Sequence, residues 1–231
     1  MSVVHTPVVL IPALLCDEAM YRDSIQGLGA LIEPHVMVSP KPRLEESVAD
    51  ILSRAPETFV LAGTSYGGNL ALEVALAAPQ RVTGLWLMGC DPGAPSPGGP
   101  DLAGALEATP DAVIDMLAGL VVHKDATAAA VRFRAMAHRV GGPAGAAQAR
   151  AVRARQEATS RLHQLRIPAL VLWGEDDALA PVSVGRALAD ALPLAQFHVI
   201  KDCGHLPTLE KPAESGARFA EFLHEVTRRE R

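Results

Sequence analysis

The stretch LAGTSYGGNL, residues 61–70, sets Ser65 between Gly63 and Gly67, with Gly68 directly behind. A serine hydroxyl is a weak nucleophile at its free pKa and becomes useful only beside a general base that is itself oriented by an acid. The G-x-S-x-G spacing is that of a strained strand-to-helix turn that lifts the hydroxyl above a sheet, with the glycines leaving room for close packing. The same small residues also suit an ordinary tight turn. The chemistry therefore depends on a base and an acid standing elsewhere in a compatible order.

Two later loops offer them. GEDDALAP follows the apolar run 169–173, and KDCGHLP follows the run 197–200. An acid from the first loop and His205 from the second would each leave a strand end, in the chain order serine, acid, histidine. Asp91, after the run 85–88, is a second acid candidate. The other histidines carry no such loop. His198 lies within a predicted strand, His123 and His138 fall in an insertion, and His5, His35, His163 and His224 have no accompanying signature.

The elements that must position these groups alternate along the chain. Runs at 8–11, 36–39, 59–62, 85–88, 169–173 and 197–200 are mostly apolar without alternation, as in parallel strands buried on both faces. Helical patterns lie between them at 17–28, 44–55, 66–78, 182–192 and 214–228, and Pro79 ends the third. The order predicts an α/β fold with a mostly parallel, doubly wound sheet of about six strands. Residues 92–163 break the rhythm: DPGAPSPGGP opens alanine-rich stretches in which Leu106, Val113, Leu117 and Leu120 supply helical apolar spacing. The core is thus expected in 1–91 and 164–231, with 92–163 a helical cap roofing the carboxyl ends of the strands, where such sheets bind ligands.

Four motifs in this order, GTSYGG, APQRVTGLWL, GEDDALAP and CGHLPTLEKP, resemble those of the α/β-hydrolase superfamily over essentially the whole chain. In similar members the acid is the fourth residue of the G-x-x-D-x-x-x-P turn. That implies Asp177, between Gly174 and Pro181, in preference to Asp91. The backbone N–H of Tyr66, just after the nucleophile, would be one oxyanion donor. The resemblance implies Leu14 as the second. Here the chain departs from the family: PALLCD stands where relatives carry His-Gly or Pro-Gly, so Ala13 replaces a glycine, and a positive φ at Ala13 would be strained.

The resemblance implies a serine hydrolase that cleaves small carboxylic esters through an acyl-enzyme on Ser65, with no cofactor and no metal. Arg132, Arg134, His138 and Arg139 share one helical stretch of the cap. They read first as solvated helix charge. A pocket-facing arginine would instead suit a substrate carboxylate, and with it a C–C bond hydrolase or a lyase-type enzyme similar to the menaquinone-pathway synthase. A non-catalytic ligand receptor is a third reading, weakened by the completeness of the serine, acid and histidine set.

Composition narrows the rest. The 231 residues carry a net charge of −5, against the basic surplus of a general nucleic-acid binder. MSVVHTP lacks the basic and apolar regions of a signal peptide, and no run is long enough to span a bilayer, so a cytoplasmic location is expected. Cys16, Cys90 and Cys203 show no CxxC spacing and read as free thiols. There is no HExxH pair and no P-loop ending. The expected partner is a small-molecule ester, with no nucleic acid and no membrane, and the chain acting as monomer or homodimer.

Overall fold

The computed structural model describes residues 5–95 and 97–229. Its six strands are β1 (Thr6–Ile11), β2 (Ile32–Val36), β3 (Phe59–Thr64), β4 (Val82–Met88), β5 (Ala169–Gly174) and β6 (Ala195–Ile200). They form one sheet in the order β2-β1-β3-β4-β5-β6. Every pairing is parallel. The helices in chain order are α1 (Arg22–Ile25), α2 (Leu44–Arg54), α3 (Tyr66–Ala77), α4 (Leu102–Ala108), α5 (Pro110–Leu120), α6 (Thr127–Val140), α7 (Gly142–Arg153), α8 (Val182–Ala191), α9 (Pro207–Glu210) and α10 (Pro212–Arg229).

Alternate residues of each central strand enter two different cores, as the period of two requires. Val8, Leu10, Ala62, Trp86 and Leu172 face α1 and α10, where Trp86 stacks on Phe219 with ring centroids 4.1 Å apart. Val9, Ile11, Leu61, Leu87 and Val171 face α2, α3 and α8 through Ile51, Val74 and Leu188. Burial on both faces explains why these strands read as unbroken apolar runs.

The edges differ from the sequence reading. The second strand is Ile32–Val36 rather than 36–39. It is an edge strand carrying Glu33 and Pro34, residues an edge tolerates and an apolar scan overlooks. Edge strand β6 likewise begins two residues early, at Ala195. The helix expected over 17–28 is a chain of short turns, with Asp17 capping the first through the Ala19 N–H and Gly27 within the last.

Between β4 and β5 the described residues form the four α-helices α4 to α7 and a short 3-10 helix at Thr159–Gln164, with no strand. Leu106, Val113 and Leu117 are buried, but Leu120 is 38% exposed. The inward stripe of α5 runs through Val113, Ile114, Leu117 and Ala118, which turns Leu120 outward beside Met116. Among the described residues no helix is long and apolar enough to cross a membrane.

The chain leaves β1 to one side for β2 and returns on the other side as β3. This reversal opens a crevice at the carboxyl ends of β1 and β3. The loop holding Leu14 and the turn holding Ser65 meet there.

Candidate active site

Ser65 follows β3 directly, with φ 55° and ψ −117°, a conformation that non-glycine residues avoid. Its neighbours hold it there. The Ser65 N–H donates to the Met88 carbonyl at 2.8 Å, and the Asn69 N–H donates to the Ser65 carbonyl at 3.0 Å. A Cβ on Gly63 would strike the Gly67 backbone, and one on Gly67 would strike the backbone of Ile11 and Pro12. The glycines therefore press α3 against both β3 and the loop after β1.

His205 is fixed from three directions. Its Nδ1 lies 2.7 Å from Asp177 Oδ2, and both side chains are almost wholly buried. Its backbone N–H donates to the Val121 carbonyl at 3.1 Å. Glu210 takes the N–H groups on either side, Gly204 at 2.9 Å and Leu206 at 3.0 Å. Asp177 is anchored in turn, since its Oδ1 accepts the N–H groups of Leu179 and Ala180, both at 2.9 Å. This leaves Oδ2 for the imidazole. Asp91 is engaged elsewhere: its Oδ1 accepts the Gly93 N–H at 2.8 Å, and its Oδ2 lies 3.9 Å from Arg155.

His205 Nε2 is buried and has no hydrogen-bond partner. His205 and Ser65 line one apolar cavity of about 190 Å³, so this unsatisfied nitrogen belongs to a residue of the cavity wall. The hydrogen bond from the Ser65 hydroxyl is not formed in this geometry, which is common in sites that tighten around substrate. Leu14 and Tyr66 line the same cavity. In the loop after β1, Ala13 donates its N–H to Met20 Sδ, Leu15 to Gln148 and Cys16 to the Ala13 carbonyl. The Leu14 N–H is left without a partner among the described residues. The positive φ expected at Ala13 falls instead on Leu15, at 62°, so alanine causes no strain there.

The cap cations lie elsewhere. Arg132 pairs with Asp23 at 2.7 Å, Arg134 with Asp115 at 2.7 Å, and Arg139 forks onto Asp17 at 2.8 and 3.1 Å. His138 Nδ1 stands 3.6 Å from Asp111. None of the four lines the cavity, because α6 turns Ala129, Phe133, Met136 and Ala137 inward and its charged face outward. A larger basin of about 830 Å³ adjoins the cavity at Leu14, Leu102 and Val152, and it carries Arg150, Arg153 and Arg155. Sequence reasoning passed over these three, as it did Glu210 and Gln148. Glu210 had a signal, standing five residues after His205 within a motif already singled out.

Among the described residues one group could hold a metal ion by geometry: His123, Asp176 and Asp202 bring ligand atoms within 4.8 Å of one another. None of them lines the cavity.

Residues 25–218 match the model of the alpha/beta hydrolase family. The chain belongs to that family. A 2-hydroxy-6-oxononadienedioate/2-hydroxy-6-oxononatrienedioate hydrolase from Paraburkholderia phymatum is 31% identical over 71% of this chain. The chain spans 61% of that relative's length. Two solved structures share the fold: a thermophilic esterase from Thermogutta terrifontis (TM-score 0.85, 23% identity, 96% of this chain and 91% of that one), and the enol-lactonase from Burkholderia xenovorans (TM-score 0.86, 19% identity, 96% and 92%).

Proposed function

We propose that this protein is a serine hydrolase that cleaves small carboxylic esters. The observation that carries the reading is His205, with Nδ1 held by buried Asp177 and Nε2 buried and unpartnered, on a residue that lines the same cavity as Ser65. His205 Nε2 takes the Ser65 proton as Oγ bonds to the ester carbonyl carbon, and Asp177 stabilises the imidazolium. The Leu14 and Tyr66 N–H groups bind the oxyanion, a contribution of about 3–4 kcal/mol per donor in comparable sites. The alcohol leaves with the proton from His205. Water, deprotonated by the same nitrogen, then releases the acid and restores Ser65. A cavity of about 190 Å³ with apolar walls suits a short acyl or aryl group.

The test is hydrolysis of p-nitrophenyl acetate, butyrate and octanoate beside a Ser65→Ala control. Release that declines with chain length and vanishes in the control is expected; no release from folded protein overturns the ester reading.

The arginine-bearing basin favours a second reading, a C–C bond hydrolase acting on a carboxylate-bearing substrate, the class named for the Paraburkholderia relative. Arg150 is paired with Glu107, and Arg155 bonds the Gly93 and Val152 carbonyls, whereas Arg153 has no carboxylate partner among the described residues. Turnover of a 2-hydroxy-6-oxo-dienoate, followed by loss of its absorbance and weakened by Arg153→Ala, is the result that would favour it.

A further inference from the structure

We propose that Gln148, on cap helix α7, is a positioning residue for the oxyanion donor at Leu14, so that seating the cap and forming the oxyanion site are one event. The proposal rests on the serine-hydrolase reading above.

Two contacts one helical turn apart carry it. Gln148 is 1% exposed, and its Oε1 accepts the N–H of Leu15 at 3.0 Å, across 133 residues of chain. At Gly145 the same helix face meets the Leu15 side chain so closely that a Cβ would collide with Leu15 Cδ2. Helix α7 thus grips both the backbone and the side chain of the residue that follows Leu14.

That residue is the strained one. Leu15 has φ 62°, where a leucine is held only by its surroundings. The peptide carrying the Leu14 N–H is the next but one upstream, so relaxation of Leu15 to negative φ would rotate the loop's amides. Elsewhere in the loop Ala13 is held by Met20 Sδ and Cys16 by the Ala13 carbonyl, while the cap's Arg139 reaches only the loop's far end at Asp17. Gln148 supplies the hold on Leu15 from the cap. Oxyanion donors act through preorganisation, and a misplaced donor forfeits transition-state stabilisation while leaving ground-state binding intact.

The experiment is covalent labelling of Ser65 by a small alkyl fluorophosphonate, in which Ser65 Oγ bonds to phosphorus, fluoride leaves and the serine proton passes to His205. The phosphoryl oxygen occupies the oxyanion site, so the rate reads its geometry without knowledge of the natural substrate. Gln148→Met, of similar volume but without the acceptor, is expected to slow labelling on the order of tenfold or more, with KM for p-nitrophenyl acetate held within about twofold. Gln148→Glu keeps an acceptor oxygen and is expected to restore most of the rate. Equal rates in wild type and a folded Gln148→Met overturn the inference alone. So does a loss that Gln148→Glu fails to restore and that a rise in KM accompanies, which marks general cap damage. Wild-type protein that resists labelling overturns the serine-hydrolase reading and this inference with it. Should Gln148→Met not fold, hydrogen exchange of the wild-type Leu15 amide decides: protection supports the proposal, and exchange at the rate of an open loop overturns it.

Discussion

Glu210 brackets His205: one carboxylate oxygen accepts the Leu206 N–H, and the other accepts the N–H groups of Gly204 and of His123, in the turn after α5. A single side chain therefore fixes the histidine loop on both sides and ties it to the cap. Hydrogen bonds to a charged acceptor contribute roughly 1.5–3 kcal/mol each, part of which water recovers at a half-buried site. Glu210→Ala is expected to lower stability by about 2–4 kcal/mol and to lower kcat as His205 loses its setting. Urea unfolding beside ester kinetics checks both; unchanged kcat would reduce Glu210 to a structural clamp.

Asp177 has its two oxygens assigned to different tasks, one to backbone amides and one to His205. Asp177→Asn would present the wrong imidazole tautomer and is expected to lower kcat by up to about 10⁴-fold with the fold retained. Asp91→Asn is expected to leave kcat nearly unchanged. Steady-state kinetics on the two variants separates the candidates, and the reverse ranking would move the acid's role to Asp91.

Gly89 leaves β4 at φ 56° and faces the His205 ring, so that a Cβ would stand 2.9 Å from Cε1 and 3.0 Å from Nδ1. Gly89→Ala is expected to lower stability by about 1–2 kcal/mol through its φ alone. By displacing the imidazole it should also lower kcat more than it raises KM. Thermal unfolding and kinetics on one preparation test the pair of effects, and a variant with full kcat would show that the ring tolerates the intrusion.

Cys16, Cys90 and Cys203 are free and buried. Burial pushes their thiols up, Cys90 to about 12 and the other two upward as well. All three are therefore protonated at pH 8 and poor nucleophiles. Iodoacetamide at pH 8 is expected to leave native protein unmodified and fully active, with three thiols reacting after denaturation. Mass spectrometry reads the count, and rapid native labelling with loss of activity would contradict this burial.

What could be read from the sequence was local. Ser65, Asp177 and His205 each sit in a short turn whose glycines or proline announce its shape; the turns of Ser65 and Asp177 follow strands that burial on both faces makes apolar, whereas that of His205 follows the half-buried edge strand β6. The edge strand at Ile32–Val36 escaped because one exposed flank admits Glu33 and Pro34. The cap arginines were legible as helix charge, but their acids, Asp17, Asp23 and Asp115, lie on other elements and no spacing rule pairs them. Gln148 was invisible for the same reason in stronger form. A glutamine in an alanine-rich helix carries no local sign that it will meet a loop 133 residues away.

On the serine-hydrolase reading, the backbone conformation of Ser65 sets function against robustness. A serine at φ 55° and ψ −117° costs roughly 1–3 kcal/mol that glycine would not incur. Ser65→Gly should thus unfold at a higher temperature than the natural chain while labelling with fluorophosphonate falls to nothing. Thermostability screens blind to turnover would enrich that loss, so heat-resistant variants of this protein are better sought along the exposed flanks of β2 and β6, far from the crevice between β1 and β3.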